Sequence, residues 1–147
     1  MNARADQVKQ RIEAAFSGVP YPGDDHITYA PDAWECAELT ADFRGRRWKD
    51  VPVEVLRAHA AHLSLFSAAA LPYYLPAYLL AAFDDLDVRD FLLSELDTPA
   101  SRFEPLTAAQ KNAIKAFLQW MRDEAQGDIS RTHWSNALER YWDRDWR

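Results

Sequence analysis

Aspartate, histidine and tyrosine side chains that could bind a ligand are concentrated in a few short segments. Asp24-Asp25-His26 joins two carboxylates to an imidazole, which are donor types that bind divalent metals. Adjacent residues in a loop rarely all point at one ion, and turn side chains commonly bond their own backbone instead. No further residues at ligand spacing complete the set, so we expect no metal here.

Two other groups give weak signals. His59 and His62 lie about one helical turn apart, but a helical metal pair usually has i, i+4 spacing, so packed or surface histidines are favoured. Cys36 could act as a nucleophile only with a histidine base nearby in space. A small hydrophobic role fits its place between Glu35 and Ala37 better. We therefore predict no catalytic residue and no cofactor.

The segment SAAALPYYLPAYLLAAFDD, residues 67–85, is the most apolar part of the chain and contains Pro72 and Pro76. A proline inside a helix loses a hydrogen bond and clashes with the preceding turn, at a cost of about 3 kcal/mol. The residue before a proline also avoids the helical region. We therefore expect a proline-kinked core segment, with two helical pieces that meet near Tyr74-Leu75.

The tyrosines of this segment allow two interpretations. The first is a core whose buried hydroxyls are hydrogen-bonded. The second is a ligand pocket between the kink and the loop that contains Tyr21 and Tyr29. The residues that would line this pocket are Tyr21, Asp24, Asp25, His26, Tyr74 and Tyr78.

The C-terminal segment is rich in large aromatic residues. Four of them lie within thirteen residues: Trp134, Tyr141, Trp142 and Trp146. Tryptophan and tyrosine are enriched at the energetic centres of protein interfaces. The number exceeds what one amphipathic face needs, so an interface and a core remain equal alternatives.

Composition narrows the class of protein. The 147 residues fit one domain over positions 1–147, and 48% hydrophobic content suits a globular core. A net charge of −6 argues against nucleic-acid binding, which normally needs a basic face. No run reaches the ~18 apolar residues of a membrane span. The start lacks a signal peptide's apolar core, and one cysteine excludes an internal disulfide, so we expect a cytoplasmic protein without membrane contact.

Helical periodicity dominates the chain. Val8, Ile12 and Phe16 share a stripe that predicts a helix over residues 3–16. A second helix is expected over residues 33–43 with Asp32 as its N-cap. Another should begin after Asp50, which would cap it, and a last one should span about 130–142. Asp87 and Ser67 are further expected caps. No strand-type alternation is sustained, although 26–29 could pair briefly.

A long amphipathic helix is the clearest element of the pattern. Thr107-x-x-Gln110 has the form of a capping box, and Ile114, Phe117 and Met121 follow at helical spacing. Together these signals predict an all-α fold, a single compact multi-helix domain of about six or seven helices.

Five blocks occur in a distinctive order: YPGDDHITY, FRGRRW, LSLF, LPYYLPAYLLAAF and RFEPLTAAQKNAIKAFL. In this order they resemble a bacterial family of small proteins of unknown function, DUF6714. The resemblance covers about residues 16–121, and the segment after Gln126 lies outside it. It implies one bacterial, cytoplasmic domain and no assigned activity.

The function expected from these observations is a non-enzymatic protein-interaction module of an adaptor or immunity-like kind. It would bind an unknown protein partner or a second copy of itself. The alternative is a small-molecule or metal-binding protein, or an enzyme, with its pocket between the Tyr21–Tyr29 loop and the Pro72/Pro76 kink.

Overall fold

The computed structural model describes residues 3–97, 101–124 and 128–147, the last range without the side chains of 128–130. This part of the chain forms seven α-helices: α1 (Ala3–Phe16), α2 (Trp34–Phe43), α3 (Val53–Ala58), α4 (Ala70–Ala81), α5 (Leu86–Asp97), α6 (Ala108–Glu124) and α7 (Asp128–Ala137). Short 3-10 turns occur at Trp48–Asp50, Leu63–Leu65 and Ser101–Phe103, and a π-helical turn at Leu138–Trp142. The predicted all-α, multi-helix domain is confirmed. The one β pairing among the described residues is an isolated bridge between Thr28 and Phe66.

The domain contains two compact units. The central unit spans Gly18–Leu92, and the terminal unit combines Met1–Ser17 with Leu93–Arg147. Helix α5 contributes residues 86–92 to the first and 93–97 to the second.

Helix α4 is the core of the central unit and runs without interruption through Pro76. The predicted division at Tyr74-Leu75 is therefore wrong, while a bend at Pro76 stays a prediction. Pro72 lies in the first turn, where a backbone N–H has no partner within the helix, so its missing donor costs little. Pro76 lies in the helix interior, and any other residue there would donate its backbone N–H to the Pro72 carbonyl. Apolar residues surround the axis, and burial of nearly the whole helix offsets this loss.

Aromatic rings from other segments of the central unit pack against α4. Phe43, at the end of α2, is fully buried, and its ring lies 4.8 Å from Tyr74 and 5.2 Å from Phe66. The Tyr74 hydroxyl donates to the carbonyls of Phe43 and Arg46 at 2.9 and 2.8 Å. The Tyr78 hydroxyl donates to the carbonyl of His59 at 3.1 Å. Helix α4 thus holds the C-terminal ends of both α2 and α3.

The helix ends follow the sequence signals only in part. Gly45 follows the C-cap of α2 and has φ +76°, in the left-handed region that favours glycine. Helices α2 and α3 begin after Ala33 and Pro52, without a side-chain cap, so the caps predicted at Asp32 and Asp50 are wrong. The Ser67 hydroxyl does accept a hydrogen bond from the Ala70 N–H, at the start of α4.

Asp85 caps α5, where the sequence had suggested Asp87. One Asp85 oxygen accepts from the Val88 N–H at 3.0 Å, and the other accepts from Arg57 Nη2 at 2.6 Å. The Asp85 side chain is only 10% exposed. This one carboxylate therefore joins α3 to the start of α5.

In the terminal unit, α6 packs against both α1 and α7. The predicted stripe of α1 is buried, and Arg4 near its start pairs with Asp123 near the end of α6 at 2.7 Å. The capping box is confirmed: Gln110 N–H donates to the Thr107 hydroxyl, and Thr107 N–H donates to the Gln110 side chain. The helical structure expected at 130–142 begins two residues earlier, at Asp128.

Three of the four C-terminal aromatic residues are core residues of the terminal unit: Trp134, Tyr141 and Trp142. The π-helical turn directs the fully buried Trp142 ring against Phe103, with 5.6 Å between ring centres. Its indole N–H donates to the Leu96 carbonyl at 2.9 Å. The side chains of these three residues therefore lie in the core of the terminal unit.

Replacing Tyr74 with phenylalanine tests the hydrogen bonds that join α4 to α2. We expect the free energy of unfolding to fall by about 1–3 kcal/mol, because the Arg46 carbonyl loses its donor near the core. Urea unfolding measured by circular dichroism gives this value. Tyr29→Phe is the control, since its hydroxyl is exposed and should change stability by no more than about 0.5 kcal/mol. Equal stability of the two variants would contradict the role of Tyr74.

Replacing Trp142 with alanine should lower the free energy of unfolding by about 3–5 kcal/mol, because the ring is fully buried. Trp146→Ala should cost less, about 1–2 kcal/mol, since its half-buried ring depends partly on cation–π contacts. Far-UV circular dichroism during urea unfolding compares the two variants without relying on tryptophan fluorescence. A larger loss for Trp146→Ala would overturn this order.

The Asp85 carboxyl should make stability depend on acid pH. The Arg57 hydrogen bonds, and then the Val88 N–H, lower the pKa of Asp85 below its usual 3.8. At a pH between the native and the unfolded pKa of Asp85, the unfolded chain binds more protons than the native protein, so the free energy of unfolding rises with pH. The stability that the Asp85 carboxylate contributes is lost as pH falls through its native pKa. Asp85→Asn keeps a helix-capping side chain but removes the charge.

We expect a flatter pH dependence for Asp85→Asn than for wild type between about pH 2 and 4, measured by urea unfolding at each pH. Asp84→Asn is the matched control, because the neighbouring Asp84 is exposed. Identical slopes for wild type and Asp85→Asn would show that the Arg57 contact does not stabilise the charged form.

Candidate functional site

The residues expected to line a pocket lie at different depths in the structure. Asp24, Asp25 and His26 are exposed, whereas Tyr74 and Tyr78 are fully buried with their hydroxyls bonded to backbone carbonyls. The core interpretation of these tyrosines is the one that matches this geometry. Burial, and then the charges of Tyr21, Tyr73 and Asp24, raise the pKa of Tyr74, so the loop lies near this ring. A ligand role of these residues remains a prediction.

The Tyr21 hydroxyl ties the loop to the end of α2. It donates to Asp24 at 2.6 Å and accepts from the Gly45 N–H at 2.7 Å. Burial, and then the Asp24 hydrogen bond, raise the pKa of Tyr21. Asp25 pairs with Arg44 Nη2 at 3.0 Å in a largely exposed contact. These residues stabilise the loop's own conformation.

Trp146 is the C-terminal aromatic residue that stays half-accessible. Its ring lies between the Lys111 ammonium, at 4.5 Å from the ring centre, and the Arg144 guanidinium, at 5.5 Å. Its indole N–H donates to the Trp142 carbonyl, and its own carbonyl accepts from Asn112. These contacts hold the chain end against α6, and an interface role of Trp146 remains a prediction.

A polar cluster that the sequence did not single out lies between α2 and the end of α3. His59 is 98% buried, and its Nε2 lies 2.7 Å from an Asp42 carboxylate oxygen. Its Nδ1 lies 2.9 Å from Nδ1 of His62. Asp42, His59 and His62 therefore form one hydrogen-bonded chain that runs from a half-exposed carboxylate into the protein.

Glu38 completes the cluster. One ligand atom from each of Glu38, Asp42 and His59 lies within 4.8 Å of the other two. Glu38 and Asp42 are four residues apart on α2, so both side chains lie on one helical face, and His59 caps the C-terminus of α3. Burial, and then the charge on His59, lower the pKa of His62. The negative charge of Glu38 acts in the opposite direction and raises this pKa. Two carboxylates and a buried imidazole can bind a cation or relay a proton.

The i, i+4 carboxylates of Glu38 and Asp42 were visible in the sequence, and so was His59. Their meeting was not, because Asp42 and His59 are seventeen positions apart in the sequence. The His59–His62 spacing by itself gave no signal for a site that also includes α2. The cluster becomes apparent only when α4 brings the ends of α2 and α3 together.

A second surface feature lies at the start of α2. Trp34 is 89% exposed, and nearby Tyr29 is 58% exposed, with its hydroxyl bonded to Glu35 at 2.9 Å. Asp32, Glu35 and Glu38 are exposed as well. We call these five residues the aromatic–acidic face. An open groove of about 460 Å³ lies along the same helix, lined by Asp25, Pro31, Asp32, Ala37, Thr40, Ala41 and Arg44.

None of the described helices has the length and apolar character needed to cross a membrane. Neither the curated proteins nor the solved structures contain a match to this chain.

A family model does match the chain, over residues 4–146. The match is longer than the 16–121 expected from the sequence blocks, and it includes the C-terminal tryptophans. Their assignment to a segment outside the family is therefore wrong. Two of them, Trp134 and Trp142, also pack in the core of the terminal unit. The chain belongs to the family described as "Family of unknown function (DUF6714)".

Proposed function

We propose that this protein is a non-enzymatic protein-interaction module, and that the aromatic–acidic face of α2 binds its partner. The observation that carries the proposal is the 89% exposure of Trp34. Trp142, by contrast, is fully buried, so a large indole in this chain can be packed away from water. Tryptophan is the residue type most enriched among the side chains that dominate binding energy at interfaces.

The charge around Trp34 specifies the kind of partner. Asp32, Glu35 and Glu38 are exposed within four residues of Trp34 along the chain, and the whole chain carries a net charge of −6. A guanidinium or ammonium group is attracted both to these carboxylates and to the face of an indole ring. The partner that fits is a protein segment with arginine or lysine next to an apolar side chain. A second copy of this acidic face would be repelled.

This assignment replaces the C-terminal aromatics as the expected interface, because the structure buries three of them. It keeps the adaptor or immunity-like character expected from the sequence. We place the interaction in the cytoplasm of a bacterium, since the single cysteine, Cys36, is buried and unpaired, as is usual in reducing compartments.

The replacement Trp34→Ala should abolish partner binding and leave the fold intact. We expect affinity to fall at least tenfold, since truncating a central tryptophan commonly costs about 2 kcal/mol or more. Exposure of Trp34 predicts a stability change within about 0.5 kcal/mol. Parallel pull-downs from native cell extract with wild type and variants, followed by light scattering of the eluates, measure the effect.

The control variant is Leu86→Ala, which truncates another exposed apolar side chain of the same unit and should bind like wild type. Binding by wild type and Leu86→Ala that is lost in Trp34→Ala, and weakened by salt, supports the proposal. Equal binding by all three proteins, or none by wild type, would contradict it. A homodimer that Trp34→Ala dissociates would assign the face to a second copy and overturn the basic partner.

A further inference from the structure

We propose that Glu38, Asp42 and His59 form a binding site for a divalent first-row transition-metal ion. The proposal does not rest on the protein-interaction role of Trp34, although Glu38 belongs to both sites. It combines two carboxylates from consecutive turns of α2 with an imidazole from the end of α3. One ligand atom of each residue already lies within 4.8 Å of the other two.

Small movements of exposed side chains bring these atoms to coordination distance. Two ligands that each lie about 2.1 Å from one tetrahedral ion are about 3.4 Å apart. Asp42 Oδ2 and His59 Nε2 are 2.7 Å apart in the structure. The Asp42 side chain is 41% exposed, so it can move away from His59 by the difference between these two distances. Glu38 is exposed and can approach by a rotamer change. The buried His59 therefore stays fixed while the carboxylates adjust.

The surroundings of His59 prepare its Nε2 for an ion. Its carbonyl accepts from the Tyr78 hydroxyl, and its ring packs edge-on against Phe43 with 5.7 Å between ring centres. Nδ1 lies 2.9 Å from His62 Nδ1. In the metal-free protein the Asp42 carboxylate accepts from His59 Nε2–H. Metal binding moves this proton to Nδ1, where His62 accepts it, and leaves the Nε2 lone pair to the ion. Ligating histidines generally have such an outer partner, which fixes their tautomer and orientation.

The donor set selects the class of ion. An imidazole nitrogen suits Zn²⁺, Co²⁺ and Fe²⁺, and carboxylates also suit Mn²⁺, whereas Mg²⁺ and Ca²⁺ prefer oxygen ligands alone. Two carboxylates give the site a negative charge that attracts a dication. Three protein ligands leave at least one coordination position for water or for another group, as in metal sites that remain open.

Titration calorimetry of the purified full chain with ZnCl₂ tests the site, and Co²⁺ absorption spectra report the ligand geometry. We expect one ion per chain for wild type and at least tenfold weaker binding for Asp42→Asn and Glu38→Gln. Glu38→Gln changes an exposed side chain, so it keeps the test valid if variants nearer the core unfold. The double variant Asp25→Asn, His26→Gln is the matched control and should bind like wild type.

His62 is tested as a positioning residue by two substitutions. His62→Gln retains an acceptor and should keep the affinity for Co²⁺ and its spectrum. His62→Leu removes the acceptor and should weaken binding by about 10–100-fold, as is typical for outer partners of a ligating histidine.

Three outcomes would overturn the site. They are no binding of Zn²⁺, Co²⁺ or Mn²⁺ by folded wild type at millimolar concentration, unchanged affinity in both Glu38→Gln and Asp42→Asn, or loss of binding in the Asp25/His26 control. Asp42→Asn leaves the aromatic–acidic face intact. Its effect on metal therefore does not depend on whether the proposed partner exists.

Discussion

The hydroxyl groups of Tyr74 and Tyr78 are the constraint on which the central unit depends. Both side chains belong to the buried helix α4, and each hydroxyl donates to backbone carbonyls at the end of another helix. Tyr74 donates to the carbonyls of Phe43 and Arg46, and Tyr78 donates to the carbonyl of His59. The first of these bonds fixes the residue after Asp42, and the last fixes His59 itself. The two tyrosines therefore set the distance between Asp42 and His59, and the polar cluster exists because α4 holds both of its sides.

This constraint also explains why the prolines of α4 do not divide it. A solvent-exposed helix with Pro76 in its interior would lose a hydrogen bond and gain nothing in return. Helix α4 instead packs on nearly all sides, against Phe43, Phe66 and the ends of two neighbouring helices. Aromatic packing and three tyrosine hydrogen bonds stabilise the helical form more than the missing N–H destabilises it. Tertiary packing thus overrides the local signal that predicted a break.

The sequence predicted those parts of the structure that depend on neighbours along the chain. The stripe of α1 and the capping box of α6 require only residues a few positions apart, and both are confirmed. The caps of α2 and α3 failed because suitable side chains near a helix start do not have to form the bond. The cluster of Asp42 and His59 could not be predicted, since it depends on long-range packing against α4.

Helix α2 carries both proposed activities, and Glu38 belongs to both. It is one of the three exposed carboxylates within four residues of Trp34 along the chain, and it is also a proposed metal ligand. An ion bound by Glu38 would withdraw that carboxylate from a basic partner and add positive charge to the face. Metal and partner would therefore weaken each other's binding, and by thermodynamic linkage the factor must be the same in both directions. Asp32 and Glu35 are not metal ligands in this arrangement, so the antagonism would be partial, and Trp34 would still contribute its apolar contact in the metal-bound form.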